Sequence, residues 1–328
     1  MIKELLKLKE EELLEAESIG DEVINIIVNG DDQSDVNTLM EKLNSLADKH
    51  NNYNIIKPYA LLYNILKESE KRAVTAVEAT AFHYILMNPK DTDLDKELLV
   101  TTLYTGNKMT TKLTRCYFYW GGCVAMRINN MRRAIFFFKN CVKTPSEPKK
   151  ISALGLEAAS KLLILQPLYD LNINVGLYLN FVPHFIQSIA KDCRNGNYIG
   201  IKSTISNFRE SIDKTGNLEL VQYVCEKCKI NLLYKYSKIY SHIPIETIKR
   251  KTSISEEDIK KLINECREEK GKDWVVTEDG IVEFGQNDRI ELVDKLDQLK
   301  FCQEIVQSND DHIDIMETER NRKMKEDK

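Results

Sequence analysis

The sequence predicts an all-α fold: helical hairpins in series, then a compact terminal module with one small β-hairpin and a C-terminal helix. Three observations carry that expectation. Apolar residues recur every three or four positions, as Val36, Leu39, Leu43 and Leu46 do in DVNTLMEKLNSLADKH (35–50), which buries one face of a helix. Gly106 and the Gly-Asn pairs at 196–197 and 216–217 close such segments, because glycine adopts the left-handed conformation that ends helices. One alternating run, KDWVVTEDGIVEF (272–284), breaks the helical period: four strand residues from Trp274, a turn at Glu278-Asp279-Gly280, and four more from Ile281.

From the front, MIKELLKLKEEELLEAE reads as an amphipathic helix with Leu5, Leu6, Leu13 and Leu14 among charges. It lacks the continuous apolar stretch of a signal peptide. IKPYALLYNILKE places Pro58 where a helix starts. DTDLDKELLVTTLYTG opens on acidic capping residues and ends on Gly106. Residues 1–110 are thus expected to form N-terminal helical repeats.

Residues 111–217 are expected to be a tetratricopeptide-like helical part. Its core is RCYFYWGGCVAMRINNMRRAIFFFKNCVKTP (115–145), with Phe118, Gly122, Ala125, Ala134, Phe138, Cys141 and Pro145 in an alternation of bulky and small residues. Small residues let two antiparallel helices approach while the aromatics fill between them. Ala125 stands where that repeat usually has Tyr, and an ordinary helical hairpin accommodates the same pattern. SALGLEAASKLLILQPLYDL (152–171) reads as a helix buried on more than one side. VPHFIQSIAKDCRNGN and IGIKSTISNFRESIDKTGN supply two more helices.

Residues 218–284 are expected to hold a long helix and the terminal module. LELVQYVCEKCKINLLYKYSKIYSHI reads as one helix over 218–243, with Leu220, Val224, Ile230, Leu233, Tyr236 and Tyr240 on its apolar side. IPIETIKRKT gives a short helix with Ile245 and Ile248 inward. SISEEDIKKLINECREEKG follows, with Ser255 as N-cap, Asp258 three residues on, and Ile259, Leu262, Ile263 and Cys266 on one face. Helix, short helix, helix and two strands is the order of a winged helix, in which the strands cover the helices' exposed edge. Val275, Val276, Ile281 and Val282 are expected on a small sheet with open edges, a surface for pairing with a neighbour's sheet. Residues 285–328 add GQNDRIELVDKLDQLKFCQEIVQSNDD, with Leu292, Leu296, Leu299 and Val306 at helical spacing, and a charged tail. That helix is expected to dock on partner helices, with packing against its own domain as the alternative.

A helical array running into a winged helix resembles the PCI domain. The stretch from Tyr236 to Phe284 is similar to the winged-helix half of that domain. YFYWGGCVAMRINNMRRAIFFFKNCVKTP and LEAASKLLILQPL resemble the COP9 signalosome subunit 3 family, and the resemblance covers about 115–300. It implies a non-catalytic scaffold whose winged helices pack side by side and whose C-terminal helices share a bundle. It implies other PCI subunits and a metal-isopeptidase subunit as partners, in a complex that removes the ubiquitin-like protein Nedd8 from cullins of cullin-RING ligases. Cytoplasm and nucleus are the implied location. A PCI subunit of the proteasome lid, or of a translation-initiation factor, remains the alternative.

Composition and missing motifs point the same way. The 328 residues carry a formal net charge of −4, a pI of about 5.9, 42% hydrophobic and 30% charged residues, with no basic excess to attract nucleic acid. The candidate recognition helix, 255–270, has six acidic against four basic residues, the wrong sign for phosphate contact. No apolar run reaches the roughly 18 residues that span a bilayer. His50, His83, His184, His242 and His312 are far apart, so no His-x-His or His-Glu-x-x-His zinc pattern exists. The eight cysteines are expected to be reduced core residues, including the single Cys-x-x-Cys at Cys225 and Cys228. No Walker A, dinucleotide loop or Gly-x-Ser-x-Gly occurs, and Gly121-Gly122 is expected to serve close helix packing. Neither an enzyme nor a cofactor is expected.

Overall fold

The structure is a computed structural model and describes residues 33–68, 75–91, 93–101, 110–145, 151–169, 171–270 and 272–285. In order these form α1 (Gln33–His50), α2 (Lys57–Glu68), α3 (Thr75–Met87), α4 (Lys96–Thr101), α5 (Thr111–Arg127), α6 (Met131–Lys143), α7 (Ala153–Leu165), α8 (His184–Asn195), α9 (Tyr198–Lys214), α10 (Leu218–Ile239), β1 (His242–Pro244), α11 (Ile245–Thr252), α12 (Glu256–Lys270), β2 (Trp274–Val276) and β3 (Ile281–Phe284). Short 3-10 turns occupy Tyr53–Ile55, Gln166–Tyr169 and Gly176–Asn180. The fold is mostly helical with one small sheet, as the periodicity predicts. The chain divides into two compact units, one comprising Met1–Lys191 and Asn207–Val221, the other Asp192–Ser206 and Gln222–Lys328.

The first unit centres on the α5–α6 hairpin. Thr110 caps α5 by accepting the Leu113 N–H at 3.2 Å. Asn129 ends the helix in the left-handed region (φ 61), and the Asn130 N–H returns to the Ala125 carbonyl at 2.8 Å. Asn130 then caps α6, its side chain accepting the Arg133 N–H at 3.2 Å. The turn is therefore very short and the helices lie close. A Cβ on Gly121 would meet Phe137 Cε1 at 2.6 Å, and one on Gly122 would meet Phe138 Cε1 at 2.5 Å. The paired glycines do serve helix packing. Phe82 of α3 meets Tyr117 and Phe137 with ring centroids 5.5 Å apart in each case, an aromatic cluster in tilted and edge-on geometry.

α3 has no polar face: every residue from Thr75 to Ile85 is buried. Burial on all sides removes the amphipathic stripe by which helices are recognised, so this helix leaves little periodic signal. It also carries Glu78, fully buried, whose two carboxylate oxygens have no hydrogen-bond partner among the described residues. Burial pushes its carboxyl up from 4.5 to about 8.

Basic side chains cover helix C-termini in this unit. Arg115 donates to the carbonyls of Thr144, at 3.2 Å, and Pro145, just past α6. Arg127 donates to the Leu86 carbonyl near the end of α3. Arg133 donates to the Val100 carbonyl of α4 at 2.9 Å. Lys161 of α7, itself buried, donates to the Asn217 side chain at 3.0 Å, beside the turn that ends α9. Each answers the unpaired carbonyls and the negative end of a helix.

In the second unit α10 ends at Ile239 and does not run on to Ile243, which corrects the helix expected over 218–243. The reason is Pro244. The residue before a proline is pushed out of the helical region, so Ile243 extends and joins β1. Pro244 then precedes α11. Ser255 caps α12 as expected, its hydroxyl accepting the Asp258 N–H at 3.1 Å. The hairpin turn forms where the sequence places it, with Gly280 at φ 71 and its N–H on the Thr277 carbonyl at 3.0 Å. Ile243, Ile248, Ile259, Ile263, Cys266, Trp274, Val282 and Phe284 are buried in this unit. Trp274 meets Tyr234 and Phe284 edge-on at 4.9 Å and 5.1 Å.

Two outcomes are expected. Gly122→Val forces a side chain into the Phe138 ring and should cost about 2 kcal/mol, read as a lowered thermal midpoint. Glu78 is ionised in the unfolded chain above about 4.5 but stays protonated in the fold up to about 8. Stability should therefore fall as pH rises through that window, by on the order of 3 kcal/mol at pH 7. Urea titrations at pH 5 and pH 8 should show Glu78→Gln losing much of this slope.

Candidate interaction edge

The terminal sheet has three strands in the order β1-β3-β2, all antiparallel. β3 is the middle strand. Its register sets His242 against Glu283 and Ile243 against Val282 on one side, and Val275 against Glu283 and Val276 against Val282 on the other. This corrects the expectation of open edges along Ile281 and Val282. Val282 is fully buried, and both sides of β3 are already paired. β1 was missed because its three residues stand between two helices, too short for an alternating pattern; the signal was the Ile243-Pro244 pair.

The two edges of the sheet differ. The Phe284 N–H bonds the Ser241 carbonyl at 2.8 Å and the Ile245 N–H bonds the Gly280 carbonyl at 2.9 Å. By strand alternation His242 and Pro244 turn their backbones outward from β1. Pro244 has no N–H, which blunts that edge. On the other side the Gly285 N–H bonds the Asp273 carbonyl at 3.1 Å and the Thr277 N–H bonds the Ile281 carbonyl at 2.9 Å. Val275 therefore bonds inward to β3, and Trp274 and Val276 direct both N–H and C=O outward. Among the described residues no strand pairs with that outer side.

Side chains around β2 suit contact. Val275 is 43% exposed and Val276 half-buried, while Trp274 is buried beneath the strand. The solvent face of the sheet reads His242, Glu283, Val275 across the three strands, with His242 Nε2 3.7 Å from Glu283 Oε1. Leu292, Leu296, Leu299 and Val306 lie outside the described residues.

Part of the positive charge on the neighbouring helices is paired within its own helix. Lys260 pairs with Glu256 at 2.7 Å and Lys249 with Glu246 at 3.0 Å. The Lys260 hydrogen bond holds the Glu256 carboxyl below its ordinary range. Lys251 lies over the Tyr240 ring at 5.6 Å.

His83 is buried, its Nδ1 2.7 Å from Asn44 Oδ1 and its Nε2 3.0 Å from Asp48 Oδ1, with the ring stacked on Trp120 at 4.1 Å. Asn44 is fixed in turn by donating to Thr80 Oγ1 at 2.9 Å and the Met40 carbonyl at 2.7 Å. Among the described residues no cluster of three or more His, Cys, Asp or Glu is placed to hold a metal ion. No helix among them is long and apolar enough to cross a membrane.

No protein-family model matches the chain. Over 147 residues it is 19% identical to COP9 signalosome complex subunit 3 of Drosophila melanogaster, an alignment covering 42% of this chain and 33% of that protein. The match spans about a third of the relative's length and marks a distant relationship.

Proposed function

We propose that the chain is a non-catalytic scaffold subunit of a COP9 signalosome, the complex that removes Nedd8 from cullins. The observation that carries this is the distant relationship to subunit 3 of that complex. The terminal module supports it: the order α10, β1, α11, α12, β2, β3, with the last strand in the middle of the sheet, fits a winged helix. Such a module at the end of a helical array is the PCI layout, and the α5–α6 hairpin would be a tetratricopeptide-like unit within it. Its partners are other PCI subunits and the complex's metal isopeptidase. It works in the cytoplasm and nucleus, contributes no catalytic residue and requires no cofactor.

In this reading assembly uses the β2 edge. A neighbour's strand would bond to the outward amides and carbonyls of Trp274 and Val276, with Val275 packed beside it. The C-terminal segment bearing Leu292, Leu296, Leu299 and Val306 would supply the second contact, in a helical bundle with the partner subunits.

Affinity purification of the tagged chain from its native cells, with mass spectrometry, tests the assignment. Recovery with several PCI subunits and one metal isopeptidase is expected; recovery alone, or with RNA, rejects it. Val276→Pro removes only an outward N–H, so the monomer should keep its thermal midpoint within a few degrees while co-purification drops at least several-fold. Val275→Pro removes an inward bond and should lower the midpoint itself. Full assembly by a folded Val276→Pro variant counts against edge pairing.

A further inference from the structure

We propose that Cys193 and Cys228 are a redox-modification site, a buried thiol pair that peroxide converts reversibly to a disulfide. Cys193 lies in the last turn of α8 and Cys228 in the middle of α10, both in the second unit. The Cys228 thiol donates to the Cys193 carbonyl at 3.9 Å. The two thiols also share a hydrogen bond, which draws the Cys228 thiol below its ordinary range and holds that of Cys193 above it. The sulfurs are therefore neighbours across two helices, unlike an isolated buried cysteine.

The surroundings hold the pair in register and favour a thiolate. Gly196 ends α8 at φ 71, and its N–H also bonds the Cys193 carbonyl, at 3.1 Å. Lys235, one helix face further along α10, donates to the Arg194 carbonyl at 2.9 Å and favours the anionic form of both thiols. Cys193 retains 6% exposure and Cys228 1%, so an oxidant that reaches the pair must be small. Cys225 also lies on α10 and is buried, but its thiol is pushed up, chiefly by burial, to about 11. It is the natural internal control.

The chemistry balances with hydrogen peroxide as oxidant. The Cys228 thiolate attacks one peroxide oxygen, the O–O bond breaks, and the departing hydroxide takes up the thiol's proton as water. The sulfur of Cys193 then attacks the Cys228 sulfenic sulfur. The S–S bond forms, the S–O bond breaks, and hydroxide leaves as a second water with the Cys193 proton. Two thiols and one peroxide become one disulfide and two waters. A dithiol reductant reverses it.

The test is peptide mapping of the full chain after mild peroxide treatment, alkylation under denaturing conditions and digestion without reductant. A Cys193–Cys228 linked peptide is expected, lost on dithiothreitol treatment, retained in Cys225→Ser and absent in Cys193→Ser. The oxidised wild-type chain should melt several degrees above its reduced form, because the cross-link restricts the unfolded chain, with no such shift in Cys193→Ser. A Cys225–Cys228 link, over-oxidation of either cysteine without a link, or recovery of both as alkylated thiols would overturn the proposal. The readout does not depend on the partners the chain binds.

Discussion

The packing of the first unit depends on the contact of Gly121 and Gly122 with Phe137 and Phe138. Two aromatic rings lie where Cβ atoms would otherwise stand, so α5 and α6 approach more closely than larger residues would allow. That approach needs a turn with almost no slack, which Asn129 and Asn130 provide by ending one helix and capping the next. It also sets the floor on which Phe82 of α3 packs. The same device recurs at Gly155, where the Tyr178 ring occupies the space of a Cβ and pins the loop that follows α7. Backbone thinness and aromatic bulk are exchanged between partners, which keeps density high in a core rich in aromatic as well as aliphatic side chains.

Charge is arranged to the same end. Arg115, Arg127 and Arg133 each reach out of their own helix to a carbonyl near the end of another, and Lys235 does the same for α8 in the second unit. A planar guanidinium satisfies carbonyls that a helix leaves unpaired and also packs flat against aromatic rings, as Arg133 does over Phe136 at 5.0 Å. These cations are structural.

Much of this was legible in the sequence and some was not, for identifiable reasons. Helix ends with chemical markers stood out: Ser255, Gly196 and Gly216 each sit where a cap or left-handed residue is required. The hairpin stood out because its turn has a Gly at the position that needs positive φ. α3 gave no amphipathic signal because it is buried all round, and a buried Glu78 in its first turn reads from sequence as a solvent face. β1 hid inside what looked like the continuation of α10, since Ile239, Tyr240 and Ile243 keep helical spacing; only the steric demand of Pro244 breaks it. The candidate interaction edge suffered from that omission. Two strands recognised alone leave β3 an edge, and the third strand, far away in sequence, makes it the centre.

That third strand sharpens the functional argument. A sheet of two strands offers two equivalent rims, and nothing selects one. With β1 in place the rims are unlike: one carries a proline whose backbone turns outward, the other presents paired donors and acceptors beside an exposed valine. Natural sheets blunt the edges they do not use, and Pro244 blunts β1 while also freeing Ile243 to extend and to pair. One residue thus ends the long helix, completes the sheet and disqualifies one edge. What remains for a neighbouring strand is the outer side of Trp274 and Val276, backed by the edge-on contacts of Trp274 with Tyr234 and Phe284. An edge whose backing side chain is fixed on two sides would lose little conformational entropy on pairing.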